Sequence, residues 1–269
     1  MILEGKNLSF AYRSDRVLHD VDVRLEPGVT AIIGPNAAGK STLLRCLCGL
    51  LKPRGSVQLD GRDVRNVPVA ERSRIISYLP QDTSTQAVLS VVESVLLGRL
   101  HGLGWRPSEE DLRVVTGLLD ELDLADLAER SITELSGGQG QMVALAQALA
   151  REPDILLLDE PTANLDLEHQ FEICSLMRRL TESRGMTTVM AMHDLNVAAR
   201  FADVVYVLQD GAVHSHGPAT TVMTHSMIAS VYHVNARVAA CPDGRPLVTP
   251  LELAVREDNR RGHPSGPTG

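Results

Sequence analysis

Residues 34–42 read Gly34-Pro35-Asn36-Ala37-Ala38-Gly39-Lys40-Ser41-Thr42, and this stretch decides the fold of the 269-residue chain. It matches the pattern G-x-x-x-x-G-K-[ST], in which a glycine-rich loop turns its backbone N–H groups toward a phosphate. Apolar residues before it predict a buried strand, and leucines after it are spaced as in a helix, whose N-terminus attracts anions. In this phosphate loop, Lys40 is predicted to reach the β- and γ-phosphates of a nucleotide and Ser41 to bind Mg²⁺.

A pair of carboxylates ends another apolar segment. Residues 155–160 read Ile-Leu-Leu-Leu-Asp159-Glu160, and the unbroken apolar run predicts a parallel strand covered on both faces. Ligands of open α/β sheets gather at the carboxyl ends of such strands. Since a phosphate loop precedes it, Asp159 is predicted to hold Mg²⁺ through water, and Glu160 to polarise the attacking water as the general base.

A second glycine-rich helix start lies between these two motifs. Segment 136–139 follows Leu135, and a helix is predicted from it to Ala150. Helix starts of this kind bind anions, so two of them in one chain predict a dimer in which this segment caps the nucleotide held by the partner copy. The alternative is an ordinary capped helix with a flexible entry. The segment consists of Ser136, Gly137, Gly138 and Gln139.

Composition and net charge exclude some classes of function. The formal net charge of −8 lacks the basic field of a non-specific nucleic-acid binder, and we predict no nucleic-acid partner. No apolar run approaches the ~20 residues of a membrane-spanning helix, and no signal-peptide pattern opens the chain. A cytoplasmic protein is therefore expected, with any membrane role supplied by a partner. Four cysteines are predicted to be inert structural thiols, namely Cys46, Cys48, Cys174 and Cys241.

Strand-like and helix-like segments alternate along the chain, with one long interruption. Residues 2–25 and 56–64 are typical of hairpins, whereas residues 90–150 look helical throughout, with a helix capped by Ser108. A short helix at 227–232 and an extended stretch at 236–251 are expected near the end. One helix, ended by Pro53 and Gly55, is expected to place Leu43, Leu44, Leu47 and Leu50 on its inner side. The helix capped by Ser108 is expected to carry Leu112, Val115, Leu119 and Leu122.

Taken together and in this order, the motifs resemble those of ABC transporter ATPases over residues 1 to about 255. The resemblance implies an α/β P-loop NTPase with an antiparallel β-subdomain and an inserted α-helical subdomain. The implied parts are a RecA-like core at 1–88 and 151–217, the helical subdomain at 89–150 and a C-terminal extension at 218–255. Residues 256–269 are polar and rich in glycine and proline, which predicts a disordered tail.

The same resemblance assigns roles to residues outside the two main motifs. It implies that Tyr12 stacks on adenine, that Gln81 contacts Mg²⁺ and senses the permease, and that His193 contacts the γ-phosphate as a catalytic residue beside Glu160. Asp166 would lie at the dimer interface, and segment 136–139 would be the family's signature sequence. ATP and Mg²⁺ are therefore the implied cofactors, bound by a homodimer.

Finer features resemble ATPases of iron–siderophore importers. They include Gln141-Met142-Val143, residues 165–170 and the C-terminal runs 231–234 and 242–246, the last two also shared with haem importers. This resemblance implies a peripheral subunit on the cytoplasmic face of the inner membrane. It would energise siderophore uptake through an integral-membrane permease dimer, and would be served indirectly by a substrate-binding protein.

Three other readings remain open. The cargo could be haem or cobalamin instead. A soluble ABC ATPase acting on DNA or ribosomes is disfavoured by the acidic charge and by the lack of a long coiled coil or a second ATPase half. A non-enzymatic regulatory relative is disfavoured because Glu160 and His193 are both present.

Two residues depart from the family's pattern. Ala37 stands where the loop usually has glycine, and alanine adopts a positive φ poorly, so altered loop geometry is expected there. Gly140 stands where arginine is usual, and glycine inside a helix costs about 1 kcal/mol relative to alanine.

Overall fold

The computed structural model describes residues 1–82, 88–99 and 106–254. The predicted tail at 256–269, the loop at 83–87 after Gln81 and part of the predicted helical subdomain, 100–105, lie outside these ranges. Within them the strands are β1 Leu3–Tyr12, β2 Asp15–Leu25, β3 Gly28–Ile33, β4 Arg54–Leu59, β5 Arg62–Asp63, β6 Ile76–Leu79, β7 Ile155–Asp159, β8 Thr187–Ala191, β9 Val204–Gln209, β10 Ala212–Gly217, β11 Val234–Ala240 and β12 Pro246–Leu253. The α-helices are α1 Lys40–Leu47, α2 Val69–Ile75, α3 Val91–Leu97, α4 Glu109–Glu121, α5 Gly137–Leu149, α6 Leu167–Arg184, α7 Leu195–Phe201, α8 Ala219–Val222 and α9 His225–Tyr232.

The main sheet positions the site. Its strand order is β10-β9-β3-β8-β7-β6, and all neighbours except β10 and β9 pair in parallel. Every residue of β7 and β8 is buried, which explains their unbroken apolar sequences. The carboxyl ends of β3, β6, β7 and β8 lie at one edge, and each is followed by a predicted site residue.

A second, antiparallel sheet of order β2-β1-β4-β5 covers one side of this core. Its buried leucines and valines pack with α1 and with β3 in a common apolar cluster, because alternate side chains of each strand face the same way. The expected hairpins are β1–β2 and β4–β5. The α/β P-loop architecture with an antiparallel subdomain is thereby confirmed.

One burial prediction, that of Leu50, was wrong. Leu50 is 64% exposed because α1 ends at Leu47, where Gly49 adopts a φ of 76° and turns the chain before Pro53 and Gly55 are reached. Ser108 caps α4 as predicted, and Leu112 lies on this helix with 43% of its surface exposed. Helical spacing shows which side chains share one face of a helix, but not how much of that face the neighbouring elements cover. Helix α4 buries only Val115, Leu118 and Leu119.

The C-terminal extension is helical and then forms a hairpin. Helix α9 contains the predicted short helix and buries Met227, Ile228 and Val231. The extended stretch predicted over 236–251 is the antiparallel pair β11–β12. Among the described residues, no helix is both long and apolar enough to cross a bilayer.

The cysteines are free thiols, and Cys46, Cys48 and Cys174 are buried. Burial raises the pKa of Cys46 and Cys174 to about 12 and that of Cys48 to about 11. These thiols therefore stay protonated near neutral pH, which suits a structural role.

Candidate active site

The phosphate loop joins β3 to α1 through residues with left-handed backbone. Gly34 and Gly39 have φ values of 152° and 99°. A Cβ added to Gly34 would lie 2.2 Å from the carbonyl oxygen of Leu208, so both conformation and space require glycine there. Ala37 also takes a positive φ, 63°, so the loop keeps a left-handed residue at this point despite the alanine. The strain is on the order of 1–2 kcal/mol.

Lys40 opens α1 and turns back over the loop. Its Nζ donates hydrogen bonds to the carbonyl oxygens of Gly34, at 2.9 Å, and Pro35, at 3.2 Å. The residue is 5% exposed, and burial lowers the pKa of its ammonium group, while Glu160 and Asp159 nearby act in the opposite direction. The Lys40 ammonium group therefore lies inside the loop, where the oxygens of a bound phosphate would replace the two carbonyl oxygens as hydrogen-bond acceptors.

Asp159 lies at the end of β7 with its carboxylate fully engaged. Ser41 Oγ donates to its Oδ1 at 2.8 Å, and the Tyr78 hydroxyl donates to its Oδ2 at 2.9 Å. A hydroxyl and a carboxylate in contact are the oxygen ligands that Mg²⁺ prefers. The two predicted ligands from distant parts of the sequence are therefore adjacent, and their donor set fits the ion.

Tyr78 was missed by the sequence analysis as a functional residue. Besides contacting Asp159, its hydroxyl accepts a 3.2 Å hydrogen bond from Arg45 Nε. Burial raises the pKa of Tyr78 to about 12, partly offset by Arg45, so the phenol stays protonated and can donate to Asp159. The tyrosine therefore orients the carboxylate that faces Ser41.

Glu160 is clamped between two predicted catalytic residues. Gln81 Nε2 donates to its Oε2 at 2.7 Å, and His193 Nε2 lies 2.5 Å from its Oε1. Glu160 itself has a φ of 54°, a left-handed conformation that is uncommon outside glycine and is often found at functional sites. Its backbone N–H donates to the carbonyl of Ala191, at the end of β8, and this hydrogen bond fixes the turn.

A cavity of about 700 Å³ joins these groups and falls in the size range of small-molecule sites. Six of its lining residues were not predicted from the sequence, namely Asp15, Arg16, Val17, His19, Asp210 and Gly211. They come from β2 and from the β9–β10 turn. The predicted residues that line it are Asn36, Ala37, Ala38, Gly39, Lys40, Ser41, Thr42, Gln81, Glu160 and His193.

Three predicted sites lie elsewhere. Tyr12 is 42% exposed, packs edge-on against Phe10 at 4.9 Å and does not line the cavity. Segment 136–139 caps α5, with Gln139 N–H donating to Ser136 Oγ and Ser136 N–H donating to Gln139 Oε1. Asp166 caps α6. One copy of the chain therefore brings the phosphate loop and the carboxylates together, but not segment 136–139.

Segment 136–139 and Asp166 are nevertheless linked through a residue that was not predicted. Asp166 Oδ1 accepts hydrogen bonds from the backbone N–H of His169, at 2.9 Å, and from its Nδ1, at 2.6 Å. Asp166 raises the pKa of His169 above its usual range. The same imidazole ring packs against Gly138, where an added Cβ would lie 2.5 Å from Cδ2.

This contact distinguishes two glycines of the same helical turn. Gly140→Ala is expected to raise the free energy of unfolding by about 0.5–1 kcal/mol, because the new methyl group meets nothing within 4 Å and alanine favours helix. Gly138→Ala is expected to displace His169 from Asp166 and to return the pKa of His169 toward its usual value. Denaturant unfolding and an NMR titration of the histidines measure both effects. An unchanged His169 pKa in Gly138→Ala would contradict the contact.

Comparison with known proteins gives consistent matches. The ABC transporter family matches residues 18–163. An iron(3+)-hydroxamate import ATP-binding protein of Bacillus subtilis is 36% identical, covering 95% of this chain and 97% of its own length. A cobalamin import ATP-binding protein of Halobacterium salinarum is 39% identical, covering 93% of this chain and 64% of its own length.

Solved structures agree with the sequence matches. One, described as an inward-facing ABC transporter of the metal-chelate type, superposes with a TM-score of 0.80 at 30% identity and covers 93% of this chain and 96% of its own. A bacterial ABC transporter cassette solved as a dimer has a TM-score of 0.71 at 31% identity and covers 80% of this chain and 98% of its own.

Proposed function

The chain belongs to the ABC transporter ATP-binding family, and from this premise we propose that it hydrolyses ATP to energise import of an iron–siderophore complex through a separate permease. The observation that carries the catalytic part is the Glu160 carboxylate, held by Gln81 and His193 at the cavity that Lys40 and Ser41 also line. The cargo rests on the iron-hydroxamate import relative and on the metal-chelate transporter that this fold resembles.

The chemistry follows from the positions of these groups. Lys40 and the backbone N–H groups of the phosphate loop bind the β- and γ-phosphates and stabilise the charge that spreads over the transferred phosphoryl group. Glu160 orients a water, whose oxygen attacks the γ-phosphorus as the bond to the ADP oxygen breaks, and accepts the proton that the water releases. His193 keeps the carboxylate in place. Ser41 and Asp159 would hold Mg²⁺, which would supply positive charge against the phosphates.

The working unit is proposed to be a homodimer. The phosphate loop and segment 136–139 are both glycine-rich helix starts, and they face different cavities of one copy. A second copy placing Ser136, Gly137, Gly138 and Gln139 over the nucleotide would complete each site, with Asp166 at the interface. A related cassette was solved as a dimer, which supports this arrangement.

The partners and location follow from the same proposal. Two copies would dock on the cytoplasmic face of an integral-membrane permease dimer, and a substrate-binding protein would deliver the cargo to that permease. Tyr12 is proposed to meet the adenine, although it lies outside the cavity described above. The parts of the chain are proposed as assigned from the sequence, with the core at 1–88 and 151–217, the helical subdomain at 89–150 and the extension at 218–255.

Cargo can be tested in cells that lack this gene. Uptake of ⁵⁵Fe–hydroxamate siderophore is expected to fall to background, because the permease loses its energy source, while uptake of labelled cobalamin is unchanged. Wild-type protein should restore uptake, and the folded but inactive Glu160→Gln variant should not. Loss of cobalamin uptake alone would instead assign the cargo of the Halobacterium salinarum relative. Unchanged uptake of both, with ATPase activity stimulated by DNA or ribosomes, would contradict a transport role.

A further inference from the structure

Helix α7 begins at Leu195, two residues after His193. Asp194 is its N-cap, and Asp194 Oδ1 accepts the backbone N–H groups of Asn196, at 2.8 Å, and Val197, at 3.0 Å. The position of His193 is therefore set by the first turn of this helix. Because α7 has only seven residues, it depends on contacts with its neighbours rather than on its own hydrogen bonds for stability.

One such contact reaches across to the C-terminal hairpin. Asn196 Nδ2 donates to the carbonyl oxygen of Val248 at 3.1 Å, and the Val248 N–H donates to Asn196 Oδ1 at 2.8 Å. The side-chain amide thus pairs with the free edge of β12 as a neighbouring strand would. Val248 is buried, so both of its backbone groups would lack partners without Asn196.

The hairpin is also fixed at its base. His225 Nδ1 lies 2.8 Å from the carbonyl oxygen of Ala236, and the Ala254 N–H donates to the carbonyl of His233 at 2.9 Å. These bonds attach β11–β12, whose edge Asn196 contacts, to α9.

Helix α9 ends at Tyr232. The Tyr232 hydroxyl is buried without a hydrogen bond of ordinary geometry among the described residues. Burial raises the pKa of Tyr232, and the backbone of Gly34, at the start of the phosphate loop, opposes part of that rise. The C-terminal extension therefore meets the helix that follows His193 through the contact of Val248 with Asn196.

We propose that Asn196 is a positioning residue, which holds the first turn of α7 on the C-terminal hairpin and so keeps His193 against Glu160. This inference rests on the proposed function, since it assigns Asn196 to the hydrolytic step. Displacement of a reacting group by about 1 Å can slow an enzyme by about a hundredfold. Loss of the contact is therefore expected to slow hydrolysis without weakening nucleotide binding at the phosphate loop.

The test uses the full chain with substitutions at this contact. Asn196→Ala and Asn196→Asp are expected to lower kcat at least about tenfold, with KM for ATP within about twofold of wild type. Asn196→Asp keeps the size and the acceptor, suits the first turn of a helix, and places an oxygen against the Val248 carbonyl. The matched control is Asn235→Ala, which removes another side-chain hydrogen bond of the same hairpin, to Glu252 at 3.3 Å, away from α7. It should keep wild-type kcat.

A double-mutant cycle separates positioning from general destabilisation. In a His193→Ala background, Asn196→Ala is expected to cause no further loss of kcat, because the residue it positions is gone. An equal loss in both backgrounds, or a wild-type kcat in Asn196→Asp, would overturn the inference alone. A wild-type chain that does not hydrolyse ATP would overturn the proposed function and this inference together.

Discussion

Glu160→Gln is expected to reduce ATP turnover by about 10²–10³-fold while leaving ATP affinity nearly unchanged. The substituted amide keeps the size of the side chain and can still contact Gln81 and His193, but it cannot accept a proton from the attacking water. Since ATP would then persist between two copies, the variant is also expected to accumulate as an ATP-bound dimer.

Three measurements test this expectation. Phosphate release gives turnover, equilibrium binding gives affinity, and light scattering with and without ATP gives the mass of the assembly. Glu129→Gln, at an exposed position, is the matched control and should behave as wild type. A Glu160→Gln protein that turns over within about threefold of wild type would exclude Glu160 as the general base.

Lys40→Met is expected to weaken ATP binding by at least about a hundredfold. Charge-assisted hydrogen bonds contribute about 1.5–3 kcal/mol each, and the ammonium is placed to make such bonds to two phosphates. The apo protein should be as stable as wild type or more stable, because burial of the Lys40 ammonium, which lowers its pKa, disfavours the charged folded state.

The sign of the pH dependence follows from this lowered pKa. Between the folded pKa of Lys40 and its ordinary value of 10.5, the unfolded chain binds more protons, so the stability of the wild-type apo protein rises with pH in that window. Lys40→Met should lack this contribution, whereas Lys52→Met, at an exposed lysine, should keep it. Titration of ATP binding, with denaturant unfolding at several alkaline pH values, measures both effects. Unchanged affinity in Lys40→Met would contradict the phosphate-binding role.

The features predicted correctly from the sequence are those set by interactions between residues close together in the chain. The unbroken apolar run of β7, the phosphate loop between β3 and α1, and the cap at Ser108 all depend on residues close in sequence, and the structure has each of them. Leu50 was predicted wrongly because its burial depends on where α1 ends.

The residues that were missed make long-range contacts. Tyr78 meets Asp159 and Asn196 meets Val248 only after the chain has folded, and neither pair has a spacing that marks it. The signals present were weak: Tyr78 lies on the strand that leads to Gln81, and Asn196 follows the Asp194 cap of a short helix. Neither pattern distinguishes a functional contact from an ordinary polar side chain.

The strand order of the main sheet determines when β3 can pair during synthesis of the chain. Strand β8 lies between β3 and β7, and within the described ranges β3 pairs with β8 and β9 alone. The ribosome makes the chain from its N-terminus, so β3 is made before β8 and β9. Both edges of this apolar strand therefore stay unpaired until residues 187–191 have been made. Chains released before residues 187–191 have been made are therefore expected to lack the sheet that positions the nucleotide site.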